Sequence, residues 1–150
     1  MNRIKYKTIQ LVKIRMVKEA SVKYKDRIDD PGKANSIFRP LFNGMDREQF
    51  VVLGLNADNT PTIINIASIG GIKSSQIDCA NVFKPLILSN SVAFICAHNH
   101  PSGTVNASQE DINSTRKLKS AGELLSIHLL DHIIIGDKNS FLSLQEARMI

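Results

Sequence analysis

One apolar run, Ser91-Val92-Ala93-Phe94-Ile95-Cys96-Ala97, passes directly into His98-Asn99-His100-Pro101-Ser102-Gly103. The run reads as a short, fully buried strand, and Pro101 with Gly103 breaks it. Side chains alternate faces along a strand, so His98 and His100 project to the same side where the strand ends. Asp111 lies eleven residues beyond His100, in the first turn of a helix that Ser108 starts, pointing back toward the loop. Two imidazoles and one carboxylate match the three protein ligands of a catalytic zinc centre, which keeps its fourth position for water.

A plainer reading covers part of this pattern. A histidine at a strand end is usually structural or merely exposed. Ser108-Gln109-Glu110-Asp111 is also a respectable helix start, with Ser108 as N-cap and Asp111 where a capping box has its acidic residue. An aspartate suits a helix N-terminus on charge grounds alone. This reading accounts for Ser108 and Asp111. It leaves unexplained the two histidines on one face and the Pro-Ser-Gly turn after them.

A hydrolytic metal site also needs a base to take a proton from water and hand it to the leaving group. The candidate is Glu48, in Asp46-Arg47-Glu48-Gln49-Phe50-Val51-Val52-Leu53. It stands at the mouth of a strand, where its side chain would face a neighbouring strand's end. The alternative is a solvated glutamate at a strand start, which is what most glutamates are.

The rest of the chain alternates α and β. Val12, Ile14 and Met16 alternate with Lys13 and Arg15, favouring a strand within 9–22. Asp30-Pro31 opens a helix with an N-cap and a proline at its first position. Ala34, Ile37, Phe38 and Leu41 form its apolar stripe, and Pro40 should kink or end it. Gln49 to Leu55 is a strand, Asn56 to Pro61 a turn, and Thr62 to Ile69 the returning strand of a hairpin. Asp78 to Asn90 reads as a helix burying Val82, Phe83, Leu86 and Ile87, with Pro85 inside it. A helix from Ser108 to about Gly122 follows the histidine strand. Ile127 to Ile135 forms one or two strands, and Ser143 to Ile150 a short helix. With no repeat or interdomain linker, residues 1–150 are expected to form a single domain, a mixed sheet flanked by helices.

His128-Leu129-Leu130-Asp131-His132 has the spacing of an inverted zinc motif with Asp in place of Glu. That motif needs a helix, and this stretch is β-branched toward Ile133-Ile134-Ile135. In a strand, His128 and His132 would share a face but stand too far apart to hold one ion. Asp131 and His132 are therefore read as structural residues, or as residues that support the site from behind.

Hydrophobic content of 43% and charged content of 22% are those of an ordinary soluble globular protein. No apolar run approaches a membrane span, and the start lacks the pattern of a signal peptide. Cys79 and Cys96 lie in dissimilar contexts and suggest reduced, structural thiols in the cytoplasm. A catalytic Cys96 beside His98 is the less favoured alternative. Residues 1–25 hold eight Lys/Arg against one acid, Glu19, whereas the remainder holds eleven basic and thirteen acidic residues. This basic leading segment would follow phosphate backbones or an acidic partner. The commoner explanation is an edge strand whose lysines discourage aggregation.

Taken together, Glu48, His98-Asn99-His100-Pro101-Ser102-Gly103, Ser108 and Asp111 resemble the JAMM motif of the JAB/MPN metalloproteases: an upstream glutamate, then H-x-H-P, then S-x-x-D. Ala97 to Gly103, Ala121-Gly122-Glu123-Leu124-Leu125 and Leu129 to Gly136 resemble its RadC-like bacterial branch. The resemblance runs from about Ile9 to the C-terminus. It implies the mixed α/β MPN/JAB fold, which is cytidine-deaminase-like, and one Zn2+ per chain. It also implies that His98, His100 and Asp111 bind the metal, that Glu48 is the general acid/base, and that Ser108 stabilises the tetrahedral intermediate. RadC-like proteins often carry an N-terminal helix-hairpin-helix region, for which no room is expected before Ile9. Ala80-Asn81 stands where the branch tends to have Arg-Glu, and Gly70-Gly71 where Gly-Thr is common. These departures weaken any inference about substrate. The expected activity is hydrolysis of a peptide or isopeptide bond in an unidentified peptide or protein substrate. The alternative is a DNA-repair-associated accessory or nucleic-acid-binding protein with a structural or vestigial metal site.

Overall fold

The computed structural model describes residues 7–70 and 77–150. Five strands form one sheet in the order β2-β1-β3-β4-β5, with β1 at Gln49–Leu55, β2 at Pro61–Ile69, β3 at Ala93–Asn99, β4 at His128–Ile135 and β5 at Phe141–Ser143. The helices are α1, Pro31–Phe42, α2, Cys79–Leu88, and α3, Gln109–Leu125. β1 pairs antiparallel with both β2 and β3, β3 pairs parallel with β4, and β5 returns antiparallel to β4. The parallel pair needs a long crossover, and α3 supplies it. This is the expected mixed sheet flanked by helices.

Alternation along the central strands sorts the core into two faces. Val51, Leu53, Leu55, Ile95, Ala97, Ile133 and Ile135 pack with Ala34, Ile37, Phe38 and Phe42 of α1. Phe50, Val52, Phe94 and Cys96 pack with Val82, Phe83 and Leu86 of α2 and Leu118 of α3. Every residue of β1 and β3 is buried, as strands covered on both faces must be. His98 continues the Phe94-Cys96 side, so it emerges on the face covered by α2 and α3.

The helix starts follow their capping chemistry. Asp30 accepts from the Lys33 N–H at 2.8 Å and Asp78 from the Ala80 N–H at 2.9 Å. Pro40 lies inside α1, which runs only two residues further and closes at Phe42. A proline so near the C-terminus removes only one of the last backbone bonds. Arg39 then ties this end of α1 across the sheet, donating to the carbonyls of Gly136 at 3.0 Å and Ser140 at 2.7 Å.

Four expectations are corrected. Over its described residues, 7–25, the leading segment holds neither helix nor strand and so forms no edge strand. Ile9 and Leu11 are almost completely exposed, because no neighbouring strand pairs with this segment, and alternation without a partner does not make a strand. Ile87, expected in the core, is 53% exposed, since α2 turns Val82, Phe83 and Leu86 inward instead. Residues 144–148 form hydrogen-bonded turns, not a helix. Asp131 draws this chain end inward, accepting from the Ser143 hydroxyl at 2.6 Å and the Gln145 N–H at 3.1 Å, and Arg148 takes a left-handed conformation. Finally, His128 and His132 do not share a face. The β3–β4 register slips between Phe94↔Leu129 and Ile95↔Asp131, leaving Leu130 as a bulge. His128 faces outward, 3.0 Å from Glu123, while His132 is fully buried.

Candidate metal centre

His98 is the penultimate residue of β3, and His100 stands just beyond the strand's end. The loop between β3 and α3 is pinned to the end of β4. The His100 N–H donates to the Ile135 carbonyl at 3.1 Å, and the Asp137 N–H to the Gly103 carbonyl at 3.1 Å. Gly103 closes the turn with φ +81°, and a Cβ there would collide with the Asp137 carboxylate. Gly103 is thus a structural requirement of the loop that presents His100.

α3 delivers the third group. Its start is a complete capping box: the Ser108 hydroxyl accepts from the Asp111 N–H at 3.1 Å, and Asp111 Oδ2 accepts from the Ser108 N–H at 2.8 Å. The Ser108 hydroxyl proton also goes to Oδ2, at 2.7 Å. The capping and ligand readings of this stretch therefore hold together. The cap locks the carboxylate while Oδ1 is turned to within 3.4 Å of His98 Nε2.

The ligating atoms of His98, His100 and Asp111 all lie within 4.8 Å of one another. The two Nε2 atoms are 3.0 Å apart. His100 Nδ1 lies 2.9 Å from the Thr104 carbonyl, which only accepts, so its proton is committed there. His98 Nδ1 lies 2.7 Å from His132 Nε2. Burial pushes the His98 imidazole down to about 4, outweighing the upward pull of Asp111, and proximity to His100 lowers it further. The ring is therefore neutral near pH 7. With His100 Nδ1 committed to the Thr104 carbonyl and His98 Nδ1 paired with His132, the two Nε2 atoms converge beside a carboxylate. Two nitrogens bound tetrahedrally at ordinary zinc distances stand about 3.3 Å apart, close to the spacing found. The residues present fit a divalent metal.

Glu48 immediately precedes β1 and is half-buried. The register Phe50↔His98, carried two residues outward, sets Glu48 opposite His100. The backbone there is held from both sides by one side chain: Asn99 Oδ1 accepts from the Gln49 N–H at 2.8 Å, and Asn99 Nδ2 donates to the Arg47 carbonyl at 3.1 Å. Asn99 thus brackets Glu48 while its neighbours in sequence face the metal position.

Sequence reasoning placed His98, His100 and Asp111 together and read Asp131 and His132 as structural or supporting residues, but it missed Asn99 and Thr115. Thr115 lies one helical turn after Asp111 and touches His132 Nδ1 at 2.6 Å, and that i+4 spacing was the available signal. Asp131 is a structural tie to β5, with its carboxyl pushed up by burial against the opposing hydrogen bonds. Cys96 is fully buried and its thiol is pushed well up by burial, so it is an inert core residue.

Comparison with known proteins agrees with this geometry. A model of the RadC-like JAB domain matches residues 28–149. The chain is 44% identical over 123 residues to a UPF0758 protein of Staphylococcus epidermidis, covering 82% of this chain and 54% of that protein. It is 41% identical over 119 residues to a UPF0758 protein of Shouchella clausii, covering 79% and 51% respectively. A UPF0758 protein of Desulfitobacterium hafniense is 45% identical over 106 residues, covering 71% and 46%. The chain spans about half the length of these curated relatives. With the domain matched over most of its length and its histidines and aspartate gathered at one point, the chain belongs to the RadC-like JAB domain family.

Proposed function

We propose that this protein is a zinc-dependent hydrolase that cleaves a peptide or isopeptide bond in a protein substrate. The observation that carries the reading is the pair of Nε2 atoms 3.0 Å apart, with both Nδ1 atoms held by other partners and Asp111 Oδ1 alongside. Three protein donors leave one position for water, as in catalytic rather than structural zinc sites. A bound zinc supplies a Lewis acid that acidifies water and polarises a carbonyl. His98, His100 and Asp111 hold it.

Glu48 takes the proton from the attacking water and returns it to the leaving amine. Asn99 fixes the backbone on either side of Glu48, so the carboxylate is delivered from an ordered strand mouth rather than a loose loop. Ser108 would donate to the developing oxyanion, a role that requires its hydroxyl proton to turn away from Asp111 Oδ2.

The test is Glu48→Gln in the zinc-loaded protein, assayed on a peptide and isopeptide library. Gln keeps the shape but accepts no proton, so hydrolysis should drop by roughly 10²-fold or more while zinc stays bound. Equal turnover by both proteins, or loss of zinc on substitution, would contradict the assignment.

A further inference from the structure

Behind the metal position runs a buried chain of four groups. The Asp111 carbonyl is 2.5 Å from Thr115 Oγ1, Thr115 Oγ1 is 2.6 Å from His132 Nδ1, and His132 Nε2 is 2.7 Å from His98 Nδ1. Thr115, His132 and His98 are each wholly inaccessible to solvent. Complete burial keeps both imidazoles neutral, and every proton in this chain can then be placed by counting. A carbonyl only accepts, so the single Thr115 hydroxyl proton points at Asp111. Thr115 Oγ1 can then only accept from His132, so Nδ1 of His132 carries the proton. In a neutral imidazole the other nitrogen is bare, so His132 Nε2 accepts. The nitrogen facing it, Nδ1 of His98, must therefore be the donor, and His98 Nε2 is left with its lone pair toward His100 and Asp111.

We propose that Thr115 and His132 are positioning residues that set the tautomer of His98, presenting Nε2 to the metal. The inference rests on the three-ligand site proposed above and adds the residues that prepare it. The relay also couples two ligands to one element. α3 supplies Asp111 as a ligand directly, and through Thr115, one turn on, it dictates which nitrogen of a β3 histidine can bind. A metal-ligating histidine whose other ring nitrogen is held in this way loses affinity when the holding partner is removed. The usual holder is a carboxylate, a carbonyl or water; here it is a second neutral histidine, itself held by a hydroxyl.

The experiment has two arms. In the first, long-range 1H–15N spectra of the metal-free wild type should give His98 and His132 both as Nδ1–H tautomers with bare Nε2. His98 found protonated at Nε2 would overturn the proposal without any variant being made. In the second, zinc affinity is measured by competition with a chromophoric chelator for the wild type, Thr115→Ser and Thr115→Val. Val matches the shape of Thr but cannot accept from His132. Affinity should fall roughly 10- to 100-fold in Thr115→Val, with mixed His98 tautomers, and stay within a few-fold of wild type in Thr115→Ser. Unchanged affinity and an unchanged His98 tautomer in folded Thr115→Val would show that Thr115 merely packs. Failure of the metal-site reading is separately visible: the wild type would then bind no zinc, while the nitrogen spectra would still report whether the relay exists.

Discussion

At the scale of single residues, the site depends on neutral imidazoles in a dry place. His98 is buried against Phe50, whose ring stacks on it at 6.5 Å, and His132 meets the same ring edge-on at 5.4 Å. Burial pushes the pKa of both histidines down, that of His98 to about 4. In the unfolded chain they return to the ordinary value near 6.5. Between those values the unfolded state holds more protons than the folded one, so stability rises with pH across the window. Below about 4 His98 is protonated in both states and its contribution is gone; above about 6.5 it is fully present. The metal-free protein should therefore lose stability as pH falls from 6.5 to 4, read as urea midpoints. His98→Gln should show a flatter dependence, and equal slopes in the two proteins would contradict the neutral-histidine account. Histidine spacing and helix-start chemistry made the ligand trio legible in the sequence. What orders the trio was not, because Asn99 acts across to β1 and Thr115 acts through β4, and both contacts exist only once the strands are in register.

At the scale of elements, α3 must lie close against β4 for Asp111 to reach β3. Gly122 lies where the chain turns from α3 toward β4, and a Cβ there would run into the Ile127 carbonyl and touch the Phe94 ring at 3.5 Å. Alanine is favoured over glycine within a helix by roughly 0.5–1 kcal/mol, whereas overpacking costs about 1–3 kcal/mol. The obstacle here is a backbone carbonyl rather than a flexible side-chain end, so the cost should win. Gly122→Ala should lower stability, with a reduced urea midpoint; an equal or higher midpoint would show that α3 can shift outward freely. Strand β1, the hairpin and all three helices were readable because period and capping agree within each. The short β5 and the bulge at Leu130 were not. The first is recruited by Asp131 from a neighbouring strand, and the second appears only in the pairing of β3 with β4.

At the scale of the whole molecule, charge and metal pose separate questions. Lys7, Lys13, Arg15, Lys18, Lys23 and Lys25 are all exposed on a leading segment without helix or strand; Arg3 and Lys5 lie outside the described residues. Among the described residues no helix is long and apolar enough to cross a membrane. Solvated lysines neutralise phosphates without reading bases. Binding to duplex DNA should therefore be weak and fall steeply with salt, and reversing the charge of Lys13 and Arg15 should weaken it further. Tight binding that persists at high salt and is lost on that reversal would favour the nucleic-acid reading over the enzyme. The central claim is tested most directly by metal content. Purified wild type, loaded with zinc and freed of excess, should hold about one ion per chain in its three-ligand site, and His100→Ala, treated identically and still folded, should hold almost none. Equal zinc in the two proteins would contradict the assignment of His98, His100 and Asp111 as the metal's ligands.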